Sequence, residues 1–431
     1  MTDGIEYDVV VRRGRLFGRD LDRLADVGIA DGRIVAVAES LDGIGAEEID
    51  ARGNLVSPSF VDCHKHVDRA LAATGGLRPA WNELPNASPA AVGDRFDAYY
   101  DSLAPGELED RIVENLRMAV RAGTTHVRSH VAVDHSIGTA TMAACLRAQE
   151  RTRDLLDLEL VPYATSGLDD AGARQNVRKA VEDAAAVCGR SHVALGGSLG
   201  LVGGNAEVSS FERTIDSWFA LATDLDVDID VHVTARGSAG YYALMRLADA
   251  TAAHGYEGRV NVVHAWTLAQ LPDWWLDTVL RRLAAVDVSI TTCYNSIRQG
   301  MPIRRFGEYG VLLAHGTDND QDFVYPHGNA DPLEAALVAS YGLIGDWHFD
   351  ADYRWSETNP ALRQLWRTLT VDGARLVGKS ATGIRPGRPA DIVVVDEPSP
   401  EWAIVRQASR IAVISDGRVV AEDGRICDEL R

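Results

Sequence analysis

Between Ser57 and Ala314, short apolar runs alternate with longer stretches of helical periodicity, and few architectures accept that order. Runs of four to six residues occur at Ser59–Cys63, Thr124–Ser129, Glu159–Ala164, Val193–Ser198, Asp228–Val233, Val260–Val263, Asp287–Thr292 and Val311–Ala314. Between several of them, as at Leu108–Ala122, Asn176–Val187 and Phe211–Leu225, apolar residues recur at the three- and four-residue spacing of an amphipathic helix. Strand and helix in strict alternation imply a parallel sheet with helical crossovers, and eight repeats over about 260 residues match a (β/α)8 barrel.

The two ends of the chain have a different texture. Asp8–Arg12 and Arg33–Ala38, the latter preceded by Asp31-Gly32, are short strands with a hairpin signal, as are Ala390–Val395, Ile411–Ser415 and Arg418–Ala421, the last preceded by Asp416-Gly417. The expected fold is therefore of the α/β class: a (β/α)8 TIM barrel with a small β-sandwich domain formed by both chain termini. Residues 1–57 and 376–431 make the small domain and 58–375 the barrel.

Composition narrows the function. A 46% hydrophobic content supplies a sizeable core, and no apolar run approaches the ~18 residues of a membrane span. The first residues are acidic and lack a basic-then-apolar leader, so a cytoplasmic location and no membrane partner are expected. A formal net charge of −20 without a basic tail excludes nucleic acid and leaves a small molecule as the expected partner, with a homo-oligomer compatible. The five cysteines are scattered without a C-x-x-C pair, as for reduced thiols.

The chemistry is concentrated where strands end. In Phe60-Val61-Asp62-Cys63-His64-Lys65-His66, two histidines two residues apart on an extended segment face the same side. His232 closes the run Asp228–Val231, His264 follows Val260–Val263, and Asp318 follows the run that ends at Ala314. Barrel enzymes build their sites on that face. Histidines with one carboxylate suit a divalent transition metal, zinc first and iron or manganese next.

This arrangement, with "LVSPSFVDCHKH" at the entry strand and "GIRPGRPADIVVVD" near the return to the small domain, resembles the amidohydrolase superfamily over nearly the whole chain. "GTTHVRSHV" and "VYPHGNADPLEAA" are similar to its cytosine deaminase branch, which includes N-isopropylammelide hydrolase. The resemblance implies that His64, His66, His232 and Asp318 hold the metal, and that His264 and Asp318 act on the attacking water and the developing charge. Binuclear members carry a carboxylated lysine at the end of strand four. Around Gly196–Leu199 there is no lysine, so a single divalent ion is expected.

The resemblance also implies hydrolysis of a C–N bond in a small, heterocyclic nitrogen compound: deamination, alkylamine removal or cyclic amide opening. Ring deaminases carry glutamate three residues after the strand-five histidine, and here that position is Ala235. Losing such a proton shuttle costs about 10²-fold or more, which disfavours simple cytosine deamination. So does Pro162-Tyr163-Ala164-Thr165, where cytosine deaminases place a glutamine.

Asp320 is the favoured replacement acid, with Asp322, Asp68 and Arg69 also near the site in sequence. Arg128 and His130 after strand two, and Asn295 and Arg298 after strand seven, are candidate substrate-binding residues, and Arg128 equally suits a buried structural pair. An ester, carbamate or thiocarbamate hydrolase on the same barrel, or a catalytically degenerate binding barrel, is the alternative.

Overall fold

The computed structural model describes residues 5–75, 89–134, 136–200, 208–293, 300–322, 324–325, 327–347, 360–379 and 382–427. Five strands come first: β1 (Ile5–Leu16), β2 (Leu24–Ala30), β3 (Arg33–Ala38), β4 (Ile44–Asp50) and β5 (Leu55–Pro58). Eight shorter ones follow: β6 (Phe60–Lys65), β7 (Thr124–Ala132), β8 (Asp157–Tyr163), β9 (Ala194–Leu199), β10 (Asp228–Val233), β11 (Val260–His264), β12 (Ser289–Thr292) and β13 (Leu313–His315). Every apolar run singled out in the central region overlaps one of these eight. The chain ends in β14 (Ile392–Val395), β15 (Arg410–Ser415), β16 (Arg418–Glu422) and β17 (Arg425–Ile426).

The eight central strands are parallel and form two sheets, β6-β7-β8 and β13-β12-β11-β10-β9. Single parallel bridges join the sheets at both margins, Leu160 with Val193 and Lys65 with Asp318. The result is a TIM-barrel-type α/β fold with an additional strand domain. The amphipathic stretches form helices Glu107–Arg121, Ala171–Cys188 and Val208–Leu225. The first buries Leu108, Ile112, Val113, Leu116, Ala119 and Val120 along one stripe. Asp170 caps the second, accepting 2.7 Å from the Ala173 amide.

Both termini enter one sheet: β5 pairs antiparallel with β14, Ser57 opposite Val393, and β1 pairs with β2, β4 and β5. By hydrogen bonding this is a single nine-stranded sheet. Its core gathers Val9, Val11, Val27 and Ile29 from one end of the chain with Ile392, Val394, Ala412 and Ile414 from the other. The two Asp-Gly turns have both residues at positive φ, 50° and 72° at Asp31-Gly32 and 46° and 77° at Asp416-Gly417, the tight hairpin geometry their sequence calls for. They abut so closely that a Cβ on Gly417 would lie 2.6 Å from the Gly32 Cα. No helix among the described residues is long and apolar enough to cross a membrane.

Trp366, in helix Pro360–Leu369, joins the two regions. Its indole donates 2.8 Å to the Ser57 hydroxyl and packs edge-on against Phe60 at 5.1 Å, on either side of the β5–β6 junction. Replacing Trp366 by alanine is expected to lower the unfolding free energy by about 3–5 kcal/mol, measured by denaturant titration. A change under about 1 kcal/mol would show that the junction does not depend on this side chain.

Candidate metal centre

The alternation of β6 puts His64 and His66 on one side of the strand, and both are buried. The loop after β13 comes alongside: the Asp318 amide donates 2.9 Å to the His64 carbonyl, and the His66 amide donates 3.0 Å to the Asp318 carbonyl. That approach requires glycine at 316, where a Cβ would lie 2.5 Å from the His64 Cβ. Asp318 Oδ1 is thereby held 3.4 Å from His64 Nε2 and 3.6 Å from His66 Nε2. From β10, His232 Nε2 lies 3.3 Å from His66 Nε2. At the end of β11, His264 and Ala265 take φ of 71° and 46°, a sharp bend that non-glycine residues adopt only under constraint. It brings the His264 ring to 5.3 Å from that of His64 and 5.4 Å from that of His232.

The donors fit an ion. Tetrahedral zinc with N and O ligands at 2.0–2.2 Å has ligand–ligand edges of about 3.3–3.6 Å, which matches the three separations above. His232 Nδ1 faces the Gly197 carbonyl at 2.9 Å, so the proton belongs there and Nε2 offers its lone pair. Three imidazole nitrogens and a carboxylate oxygen converging in a buried space suit a cation between them. Both ring nitrogens of His64 and the Nδ1 atoms of His66 and His264 are buried without a hydrogen bond, a cost that metal ligation explains for the atoms facing the ion.

Electrostatics keep these groups ready to ligate. Burial, then Arg69 and the neighbouring rings, hold His66 well below the usual imidazole range, burial and the neighbouring rings do the same for His232, and burial brings His264 down to about 3. Burial opposes ionisation of Asp318, but the neighbouring His64 imidazole and the charges around it outweigh burial and lower its pKa.

Beneath the cluster, His126, Arg128 and His130 alternate along β7 and meet acidic residues of β8 and β10. Arg128 donates 2.6 Å to Glu159 and 2.8 Å to Asp230, and His130 Nε2 lies 3.1 Å from Asp230. β7 and β10 are not adjacent strands, so the Arg128–Asp230 pair crosses the interior. Both polar partners of Arg128 are thus carboxylates of the strand interior, the arrangement of a buried structural pair.

Asp320 has partners of its own. Its Oδ2 accepts from the fully buried Lys65 ammonium and, at 2.9 Å, from Asn115, while its Oδ1 accepts 2.9 Å from the Ala330 amide. Both oxygens of this carboxylate are therefore engaged by groups of the protein itself. Asp322 binds Arg69 at 2.8 Å and two backbone amides, with burial raising its pKa to about 6 against the pull of Arg69. Asp68 accepts from the Tyr100 hydroxyl at 3.0 Å and the Ala132 amide at 3.1 Å. Asn295 and Arg298 lie outside the described residues.

Two members of the site carried little signal in sequence. Cys293 passes for a scattered thiol, yet its sulfur lies within 4.8 Å of ligand atoms of His264 and Asp318. Lys65 is one of only three lysines, and its place between two ligating histidines is the clue to a buried ion pair.

The sequence model of the amidohydrolase family matches residues 93–421. The chain belongs to the amidohydrolase family. It is 34% identical over 420 residues to N-isopropylammelide isopropyl amidohydrolase of Pseudomonas sp. (strain ADP), covering 97% of this chain and 98% of that one. The crystal structure of N-isopropylammelide isopropylaminohydrolase from Burkholderia multivorans superposes with a TM-score of 0.79 at 26% identity, over 97% of this chain and 99% of that one. A 5-methylcytosine deaminase from Klebsiella pneumoniae has a TM-score of 0.78 at 22% identity, over 96% and 98%, a likeness of fold. This amidohydrolase is thus a hydrolase whose family binds a divalent metal, and its own histidine–aspartate cluster has the donors to do so.

Two outcomes follow for the amidohydrolase. Asp320→Ala leaves the Lys65 ammonium buried with less compensation and is expected to destabilise the fold by about 3–5 kcal/mol; wild-type stability with a shifted pH–rate profile would restore Asp320 as the acid. The second concerns the metal-free protein. Burial holds His130 at about 4 and His264 and His315 at about 3, so below about pH 6.5 the unfolded chain takes up protons that the native chain refuses. Each such histidine removes about 1.4 kcal/mol of stability per pH unit on acidification, while His126, raised by Glu159 against burial, acts in the opposite sense. Denaturant titrations at pH 7 and pH 5.5 read the slope, and a flat profile would contradict the neutral, buried cluster.

Proposed function

We propose that this protein hydrolyses a C–N bond of a small heterocyclic nitrogen compound and releases an amine, with alkylamine removal from a triazine-like ring as the first candidate. The observation that carries this reading is the convergence of His64, His66, His232 and Asp318 at spacings that suit one divalent ion. The full-length similarity to N-isopropylammelide isopropyl amidohydrolase supports the substrate class. Three nitrogens and one oxygen in a tetrahedral spacing favour zinc. The net charge of −20 favours a small molecule over nucleic acid, and a closed eight-stranded barrel is the natural frame for the site.

An ion bound there supplies Lewis acidity and lowers the pKa of water from 15.7 toward about 7. The protein's own groups do the rest. Asp318 Oδ1 faces His64 and His66, which leaves Oδ2 to take the proton of the attacking water. The neutral His264 imidazole stabilises the charge that develops at the attacked carbon. As the new C–O bond forms and the C–N bond breaks, the proton held at Asp318 passes to the departing nitrogen. Ala235 has no acidic group and Asp320 is tied to Lys65, so Asp318 carries the proton in both directions. A dialkyl- or alkylamine leaving group, more basic than ring nitrogen, suits that single shuttle.

Elemental analysis of the purified protein, followed by an amine-release assay on N-alkylated triazines, pyrimidines and cyclic amides, tests the reading. About one metal per chain with amine release is expected. His64→Ala should lose both ion and turnover, whereas His264→Ala should keep the ion and lose about 10²-fold or more in kcat. Full activity in a metal-free chain would overturn the proposal, and turnover confined to esters or thiocarbamates would transfer it to the alternative chemistry.

A further inference from the structure

Six side chains able to ligate a metal crowd the ends of the barrel strands: His64, His66, His232, His264, Cys293 and Asp318. A tetrahedral ion uses four. The three histidines His64, His66 and His232 with Asp318 account for one ion, which leaves His264 and Cys293. One ligand atom from each of these two and from Asp318 lie within 4.8 Å of one another. Both residues are buried, Cys293 just after β12 and His264 at the end of β11, and His264 Nδ1 has no hydrogen-bond partner.

We propose that His264, Cys293 and Asp318 form a second, softer metal subsite that takes a thiophilic divalent ion when such ions are in excess and thereby inhibits the enzyme. The binding itself stands on these three residues; only the inhibition rests on the metal-hydrolase reading. Sulfur selects the ion, because thiolate prefers zinc or cadmium to magnesium, calcium or manganese. As the sulfur–metal bond forms, the thiol proton leaves to solvent, so uptake strengthens as pH rises.

The subsite is the weaker of the two for three reasons. It has three protein donors instead of four. One donor, Asp318, is shared with the first ion. No lysine stands at the end of β9 to supply a second bridging anion between two neighbouring cations. A resident ion therefore fills the first position, and the second fills only under metal excess. Once filled, it occupies the His264 imidazole and fixes the carboxylate of Asp318, the two groups that the proposed hydrolysis needs free.

The test is a titration of the metal-replete protein with cadmium, following bound metal per chain and the near-ultraviolet charge-transfer absorption of a cadmium thiolate. A second equivalent is expected, with the band growing in step and amine release falling about 10²-fold, the scale of a lost acid–base group. Cys293→Ser, and Cys293→Ala as a check without a hydroxyl, should abolish the second equivalent and the band while one ion stays bound. A band that persists in both variants would assign the thiolate to another cysteine and overturn the proposal. So would cadmium that merely displaces the first ion at one per chain, or a second equivalent without a band. Failure of the metal-hydrolase reading is distinguishable, since it appears as a purified chain without a resident ion, in which the same titration still reports on the subsite.

Discussion

The structure depends on the seam where β6 meets the loop after β13. There the backbone of Asp318 exchanges hydrogen bonds with His64 and His66, so β6 is joined to this loop by the same residues whose side chains converge. A buried ammonium reinforces the seam. Lys65 Nζ donates to the Thr317 hydroxyl at 2.8 Å and to Asp320, with Asp62 3.6 Å away, all from positions flanking the ligands. Neutralising that charge with apolar packing is often stabilising, so stability alone is a poor reason for it. Its geometric consequence is specific: the pair fixes the loop in the one register that places Asp318 Oδ1 between His64 and His66.

Much of this was legible in the sequence because barrel strands and their terminal residues follow local rules. Each buried parallel strand is a short apolar run, and the first polar residue after it sits at the functional mouth, so His232, His264 and Asp318 could be placed without any knowledge of contacts. The Asp-Gly turns were equally local, since their φ preference is a property of two residues. What escaped depends on partners far apart in the chain. Asp320 resembles a free acid until Lys65 and Asn115 are seen at its oxygens, 255 and 205 residues away. Arg128 reads equally as a substrate ligand or a buried pair, and only the fold shows Glu159 and Asp230 at its guanidinium. Cys293 has no periodic or motif context at all, and only the fold brings it to His264.

The polar interior under the metal centre has a physical logic of its own. Arg128 lies between the carboxylates of Glu159 and Asp230, with His126 and His130 beside them, so each buried charge has an opposite or hydrogen-bonding neighbour. Burial raises the cost of charging an imidazole, and His130 answers by staying neutral while Asp230, lowered to about 2 against burial by its partners, stays ionised. An ionised aspartate and a fixed guanidinium below a ring of neutral histidines leave the lone pairs of that ring as its reactive feature. The barrel floor thus favours a cation above it.

The absence of an acid at position 235 alters how such a site must work. In a deaminase the shuttle glutamate and the metal carboxylate divide the labour: one moves protons and the other holds the ion. Here Ala235 offers a methyl group, Asp320 is locked by Lys65, Asp322 is shared between Arg69 and two amides, and Asp68 is engaged by Tyr100 and a backbone amide. On the proposed reading, Asp318 is left to ligate and to move protons. Its two oxygens make that possible only while Oδ2 stays uncommitted, and for the same reason the neighbouring Cys293–His264 pair is consequential. A carboxylate with one duty can tolerate a second cation beside it; a carboxylate with two cannot, because any ion that claims Oδ2 removes the proton path along with the water's acceptor.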